Sequence, residues 1–197
     1  MRHPFLALSI ALGALTFAPA QVSIGIGTPN VSLGINLPVF PTLVPVPGYP
    51  VYYAPDVNGN YFFYDGMYWM FMNDNWYASS WYNGPWGLVA AESVPYFILR
   101  VPVRYYRRPP AFFRGWDRAA SPRWGEHWGP AWAQRRKGWD QWDRHAVPTA
   151  ARLPEYQRNY QGQHYPRPEQ QQALHQQNYH YQPQEKVVRD HYQRPVR

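Results

Sequence analysis

Histidines are the first side chains of this sequence that could hold a metal ion. Six of the seven histidines lie in the C-terminal half, and no two of these six have the i, i+4 spacing of a helical site or the spacing of a zinc finger. A structural zinc site needs such spacing or cysteine ligands, and the chain contains no cysteine. We therefore expect these histidines to bind no metal ion. The six are His127, His145, His164, His175, His180 and His191.

The groups needed for catalysis are also missing from the sequence. There is no Gly-x-Ser-x-Gly motif, no cysteine nucleophile, and no glycine-rich loop followed by the lysine of a nucleotide site. Asp56, Asp65, Asp74 and Glu92 could supply the two carboxylates of a glycosidase, but aspartate is common at turns in any protein. We expect no enzyme and no cofactor, and a periplasmic hydrolase ranks third among the functions considered.

The first twenty residues predict export. Arg2 precedes an apolar run over residues 5–17 and then Ala18-Pro19-Ala20, the small-x-small pattern of a signal-peptidase site. The run is shorter than the roughly 20 residues that span a bilayer, so we expect cleavage after Ala20 and no transmembrane span. A lipid-anchored export route would need a cysteine at the cleavage point. The mature protein is expected to be periplasmic or associated with the envelope.

Composition and charge divide the mature chain. The 197 residues include 22 prolines and 14 glycines, too many for one compact core of that length. Residues 21–110 hold four basic and four acidic side chains, whereas residues 111–197 hold fourteen basic and eight acidic ones. The expected segments are a signal peptide (1–20), a short strand repeat with a proline-rich linker (21–48), an aromatic-rich β domain (49–106), a Trp/Arg-rich segment (107–147) and a disordered tail rich in Gln, Tyr, Pro and Arg (148–197).

Turn dipeptides at intervals of seven, eight and ten residues separate short aromatic runs between positions 49 and 106. They are Asn58-Gly59, Asp65-Gly66, Asn73-Asp74 and Asn83-Gly84. This spacing predicts consecutive hairpins and a mainly β fold, either a small antiparallel meander or a barrel-like sheet. Strands are expected near 49–54, 60–64, 67–72, 75–82, 86–90 and 97–106.

Two-residue turns at 65–66 and 73–74 would decide which rings share a face of the sheet. Because Trp and Phe gain most from complete burial, we assign the face that contains Trp69 to the core. The predicted pairs are Tyr64 with Met67, Phe62 with Trp69, Phe71 with Trp76, and Trp69 with Ala78. The opposite face receives Tyr61, Phe63, Tyr68, Met70 and Tyr77.

The tyrosine-rich face has two interpretations. Exposed rings would form a platform that stacks on sugars, which would make the protein a carbohydrate or peptidoglycan binding module. Alternatively, a second layer of chain such as VSIGIG or FILRV covers the rings and the core is two-sided. The candidate ligand-binding residues are Tyr61, Tyr68, Tyr77, Trp81 and Trp86.

Four tryptophans in the segment 107–147 fall at offsets 0, 4, 11 and 14, which places them on one face of a helix expected from about 130 to 145. The basic, tryptophan-rich stretch from Arg104 to Arg144 could contact anionic groups of the cell envelope, or the tryptophan face of the helix could pack on the β domain. Export argues against nucleic acid as the partner. The candidate contact residues are Trp128, Trp132, Arg135, Arg136, Trp139 and Trp142.

A resemblance to a known family of proteins rests on five motifs, which occur in the order NYFFYDGMYW, NDNWYASSWYNGPW, LRVPVRYYRRPP, RWGEHW and GWDQWDR. Over residues 22–145 the chain resembles a family of uncharacterised exported proteins of proteobacteria. The resemblance implies a periplasmic or envelope setting and brings no catalytic residue with it. Trp76-Tyr77, Asn83-Gly84 and Gly87-Leu88-Val89 are also similar to bacterial SH3-type domains, which would imply a small barrel that binds peptidoglycan or peptides.

These observations favour an exported, non-enzymatic protein that interacts with the envelope or supports its structure. The alternative is the carbohydrate or peptidoglycan binding module with an aromatic platform. The expected partner is a polysaccharide, peptidoglycan, an anionic lipid or another envelope protein. The sequence does not indicate an oligomeric state.

Overall fold

The computed structural model describes residues 36–192, and six strands within this range form one open antiparallel sheet in sequential order. The predicted meander is confirmed, and it is an open sheet and not a closed barrel. Most of the strand repeat expected within 21–48 lies outside the described residues. The strands are β1 (Val44–Pro45), β2 (Val51–Tyr53), β3 (Asn60–Tyr64), β4 (Met67–Met72), β5 (Asn75–Ser79) and β6 (Gly87–Val89).

Two tight turns fix the register of the central strands. Asp65 and Gly66 have φ values of 51° and 88°, and Asn73 and Asp74 have φ values of 49° and 60°. Two consecutive residues with positive φ are the signature of a two-residue hairpin turn, for which Asn, Asp and Gly are the preferred residues. The register expected from the sequence is confirmed at Tyr64–Met67, Phe62–Trp69, Phe71–Trp76 and Trp69–Ala78.

The strand expected over 97–106 does not form. This segment instead contains α1 (Tyr96–Leu99) and a 3₁₀ turn (Val103–Tyr105). Pro95 and Pro102 immediately precede these two elements. Proline has no N–H for a strand ladder but fits the start of a helical turn, so the apolar run between them is helical. The outermost partner of β2 is β1, which comes from the proline-rich linker.

Short helices, and not one long helix, follow the sheet. They are α2 (Trp124–His127), α3 (Gly129–Arg135), α4 (Pro168–Asn178) and α5 (Lys186–Tyr192). Helical turns contain more of the described residues than strands do. The fold is therefore organised around a β-sheet but is mixed in its secondary-structure content.

The helix expected over about 130–145 ends at Arg135. The Arg100 side chain accounts for this early end, because it donates hydrogen bonds to the carbonyls of Gly138, Trp139 and Gln141. A continuing helix would use such carbonyls for its own hydrogen bonds. Gly138, with a φ of 80°, allows the chain to turn toward Arg100.

One face of the sheet, here called the tryptophan face, packs against α1, α2, α3 and the loops between them. Ile98, Leu99, Trp124 and Trp132 are buried over this face. Burial of each large apolar side chain stabilises the fold by about 2–3 kcal/mol. The tryptophan face consists of Phe62, Tyr64, Met67, Trp69, Phe71, Trp76 and Ala78.

The opposite face, here called the tyrosine face, is covered mainly by residues 148–192, which we call the C-terminal arm. Composition predicts disorder for 148–197, but the arm contains 3₁₀ turns and two helices and packs on the sheet, which corrects that expectation for residues 148–192. Gln and Tyr side chains hold the arm on the sheet by hydrogen bonds. The arm therefore packs there without a periodic pattern of apolar residues in its sequence. The tyrosine face consists of Tyr61, Phe63, Tyr68, Met70 and Tyr77.

Candidate functional site

All five rings considered for a ligand platform are buried in the structure. Their exposed fractions are 1% for Tyr61, 0% for Tyr68, 8% for Tyr77, 0% for Trp81 and 4% for Trp86. Tyr61, Tyr68, Tyr77 and Trp86 belong to one core cluster, to which Ala151 and Tyr179 of the arm also contribute. Of the two interpretations of this face, the structure places a second layer of chain over the rings. The segment FILRV lies on the tryptophan face instead.

Gln157 is the polar centre of the contact between the arm and the sheet, and none of its surface is exposed. Its Oε1 accepts hydrogen bonds from the Tyr68 hydroxyl at 3.0 Å and from the Tyr82 backbone N–H at 3.1 Å. Its Nε2 donates to the Ser80 carbonyl at 2.9 Å and to the Tyr156 hydroxyl at 3.2 Å. One side-chain amide therefore satisfies two backbone groups of the loop that follows β5, the buried Tyr82 N–H and the half-buried Ser80 carbonyl.

The loop Trp81–Gly84 is bonded to the arm at further points. Trp81 donates from Nε1 to the Gln171 carbonyl at 3.1 Å, and the Gly84 carbonyl accepts from Gln171 Nε2 at 3.1 Å. The Tyr165 hydroxyl donates to the same Gly84 carbonyl at 2.6 Å. The Trp81 ring meets three arm tyrosines edge to face, with centroids 5.6–5.8 Å apart. The loop is therefore part of the packed interior and does not present its rings to solvent.

Burial also changes the chemistry of the tyrosine face. It raises the pKa of Tyr61 and Tyr68 well above the ordinary value for tyrosine, because the ionised phenolate would lose its solvation. Both hydroxyls donate hydrogen bonds, to the Tyr82 carbonyl and to Gln157 respectively. These hydroxyls are neutral donors that stabilise the fold.

His175 is the one histidine of the arm that lies deep in this interface, with 4% of its surface exposed. Its Nδ1 is 2.8 Å from the Tyr156 hydroxyl, and the Tyr179 ring packs against it. Burial lowers the pKa of His175 from 6.5 to about 4, because a charged imidazolium would be poorly solvated here. The arm therefore docks with a neutral histidine.

We predict that docking of the arm is sensitive to acid through His175. Between pH 6.5 and pH 4 the unfolded chain binds a proton at this residue that the folded chain does not, so its contribution to stability is present above pH 6.5 and lost as the pH falls toward 4. The shift corresponds to about 3 kcal/mol in the free energy of unfolding. Urea unfolding at pH 7 and pH 4.5 measures this loss.

His175→Asn is the variant that isolates the effect, because Asn does not titrate in this range. The wild-type chain should lose about 2–3 kcal/mol more stability than the variant between the two pH values. His164→Asn, at an exposed arm position, is the matched control and should behave like the wild type. Equal pH dependence in the wild type and His175→Asn would contradict the prediction.

Asp65, considered above as a possible catalytic carboxylate, binds the arm instead. It accepts hydrogen bonds from the Tyr181 hydroxyl at 2.7 Å and from the backbone N–H groups of Gln184 and Glu185, each at 2.8 Å. Tyr64 donates to Glu185 Oε1 at 2.7 Å, and burial raises the pKa of Glu185. These contacts hold the chain just before α5, at the point where the arm passes from the tyrosine face to the tryptophan face.

The six residues expected to contact the envelope lie on or near the covered tryptophan face. Trp132 and Trp139 are buried, and Trp128 and Trp142 are half-buried. Arg136 donates to the carbonyls of Glu92 and Val94. Arg135 pairs with Glu92 at 2.7 Å. The four tryptophans and Arg136 therefore contribute to packing between the helices and the sheet, the other alternative that the sequence allowed, whereas Arg135 stays exposed.

An exposed basic loop adjoins the tryptophan face. Residues 104–118, here called the arginine loop, contain five exposed arginines and one carboxylate, Asp117. None of the five forms an ion pair with a residue in the range 36–192. The five are Arg104, Arg107, Arg108, Arg114 and Arg118.

The arginine loop is anchored at its ends and from inside. The Arg104 N–H donates to the Arg118 carbonyl at 3.0 Å, which closes the loop at its base. Tyr106 and Phe113 are each 4% exposed and pack against Trp124 in the core of the tryptophan face. Aromatic side chains therefore point inward from the loop and guanidinium groups outward. The sequence shows the basic composition of this region but does not separate its buried from its exposed residues.

Residues 36–192 offer neither a metal site nor a membrane-spanning helix. No group of three or more His, Cys, Asp or Glu side chains in this range could hold a metal ion. None of the helices there is long and apolar enough to cross a membrane. Comparison of the chain with protein-family models, with curated proteins and with solved structures finds no match.

Proposed function

We propose that this chain is an exported, non-enzymatic envelope protein whose arginine loop binds anionic polysaccharide. The observation that carries the proposal is the set of five exposed arginines with no ion-pair partner in the described part of the chain. The sequence supports export, and the net charge of +7 favours an acidic partner.

The chemistry of arginine supports this choice of ligand. A guanidinium binds carboxylate and phosphate groups through two parallel hydrogen bonds, and it is more weakly hydrated than an ammonium. Because Tyr106 and Phe113 anchor the loop in the core, the backbone that carries the arginines needs little ordering on binding. Repeated acidic groups along a polymer could bind several of the arginines at once.

Burial of the tyrosine face argues against the aromatic platform as the binding surface. A sugar could reach Tyr68 or Trp81 only if the arm left the sheet, which would break the hydrogen bonds of Gln157 and Gln171. The arginine loop needs no such opening. It is therefore the better candidate surface in the folded chain.

Binding to polygalacturonate, an acidic polysaccharide, tests the proposal, with neutral dextran as the reference. A variant with all five loop arginines replaced by Gln should bind polygalacturonate about tenfold or more weakly at ~0.1 M salt, since each surface cation contributes up to about 1 kcal/mol at an anionic surface. Dextran should not bind either protein. Retention on immobilised polymer, measured at several salt concentrations, gives the affinities.

The control is a second variant that loses the same charge elsewhere. Five exposed basic residues outside the loop are replaced by Gln: Lys137, Arg144, Arg152, Arg158 and Arg167. The control should retain most of the affinity. Equal losses in the two variants would mean that net charge alone causes binding and would refute a role for the loop. Binding to phosphatidylglycerol vesicles but not to polygalacturonate would also overturn the proposal, because it would identify lipid as the partner.

A further inference from the structure

A cavity of about 430 Å³ lies next to the arginine loop, between the β2–β3 connection and the β4–β5 turn. Its volume falls within the range of pockets that hold small molecules. Half-buried Met72 and Pro110 contribute apolar walls, and the other lining residues include three asparagines, one aspartate and Arg108. Such a lining combines apolar surface with hydrogen-bond donors and hydrogen-bond acceptors.

Arg108 is the loop arginine that the protein holds in place most firmly. Its backbone N–H donates to Asn60 Oδ1 at 2.8 Å, and its carbonyl accepts from Asn60 Nδ2 at 2.7 Å. Its side-chain Nε donates to Asn58 Oδ1. The terminal nitrogens Nη1 and Nη2 make no hydrogen bond or ion pair with residues 36–192. Arg108 is thus held in place with its Nη1 and Nη2 available to bind a carboxylate or phosphate.

Further hydrogen-bonding groups line the same cavity. Asn58 Nδ2 and the Asn73 side-chain amide have no hydrogen-bond partner among the described residues. Asp74 is held through Oδ1 by His127 Nε2 at 2.6 Å, and the His127 ring stacks on Phe112 with centroids 3.7 Å apart. Asp74 Oδ2 has no partner in the described residues. Two side-chain amides and one carboxylate oxygen can therefore bind hydroxyl groups.

We propose that this cavity binds one acidic sugar unit, with Arg108 on the carboxylate or phosphate and Asn58, Asn73 and Asp74 on the ring hydroxyls. The inference rests on the proposed function and deepens it, because it identifies the one site where the arginine loop recognises a sugar unit and not charge alone. The unit could be a chain end or a branch of the polysaccharide. The remaining loop arginines then add affinity along the polymer without sugar specificity.

Titration of the full mature chain with galacturonic acid, followed by NMR shifts, tests the inference. Arg108→Gln should weaken binding about tenfold or more, because it removes a charge-assisted hydrogen-bond pair. Asn73→Gly, which removes the amide but tolerates the positive φ of the turn, should weaken binding about fivefold through loss of a neutral hydrogen bond. Arg152→Gln, with the same charge change on an exposed residue of the C-terminal arm, is the matched control and should change the affinity less than about twofold.

Two reference ligands separate recognition of a sugar from recognition of an anion. Galactose, without the carboxylate, and inorganic phosphate, without the ring, should each bind at least about tenfold more weakly than galacturonic acid. Equal affinity for either one would overturn the inference, as would equal effects of Arg108→Gln and Arg152→Gln. The proposed function would survive either result if polygalacturonate binding still depended on the five arginines together.

Discussion

A chain that ends at residue 147 is expected to lose cooperative folding. Removing the arm uncovers Tyr61, Tyr68 and Trp81 and leaves the Tyr82 N–H and the Ser80 carbonyl without Gln157. Each large ring returned to water costs about 2–3 kcal/mol, and a domain has only about 5–15 kcal/mol of stability in total. Calorimetry should therefore show no sharp unfolding transition, and near-ultraviolet circular dichroism should lose its aromatic bands.

The matched control is a chain that ends at residue 192, which retains the whole described arm. It should unfold cooperatively, with a midpoint close to that of the intact chain. A chain ending at 147 that kept a sharp transition and native aromatic bands would show that the sheet is stable without the arm. That result would refute the two-sided core.

Trp69→Ala is the single substitution with the largest expected cost. Trp69 has no exposed surface, lies at the centre of β4 opposite both Phe62 and Ala78, and donates from Nε1 to the Tyr64 carbonyl at 3.3 Å. Truncating a buried tryptophan to alanine removes its transfer free energy and leaves a cavity, at a cost of about 3–5 kcal/mol. The free energy of unfolding in urea measures the loss.

Leu88→Ala is the control for this substitution, because Leu88 lies in β6 but is 39% exposed. Its cost should be below about 1 kcal/mol. Similar costs for the two substitutions would contradict the placement of Trp69 in the core.

The central hairpins could be predicted from the sequence because their turns are local. Asp65-Gly66 and Asn73-Asp74 are residues that adopt positive φ readily, and a two-residue turn allows one register between the strands that it joins. The alternation of side chains then determined the two faces. Turn chemistry therefore sufficed for β3, β4 and β5 and for the separation of the Trp69 face from the Tyr68 face, but it did not predict β1 or the helical turns within 97–106.

The cover of the tyrosine face could not be predicted in the same way. Gln157 and Gln171 are buried by hydrogen bonds to the loop 80–84, about 75 or more residues away in sequence, and no local pattern encodes such a partner. A Gln-rich segment without apolar period normally predicts disorder. The end of α3 at Arg135 likewise depends on a residue distant in sequence, Arg100.

The candidate site was partly predictable. The arginine content of RYYRRPPAFFRGWDR is visible in the sequence, and the segment lies within the basic stretch that suggested envelope contact. What the sequence could not show is that Tyr106 and Phe113 point inward while the arginines stay exposed. The role of Asn60 in holding Arg108 also depends on a contact between residues 48 positions apart.

The most direct test of the central claim is arginine modification by phenylglyoxal, with and without polygalacturonate, read residue by residue by mass spectrometry. We expect the polymer to protect the five arginines of the loop, whereas exposed Arg152 and Arg167 of the arm should be modified equally in both states. Unchanged modification of the loop arginines in the bound state, with protection of the arm arginines instead, would contradict it.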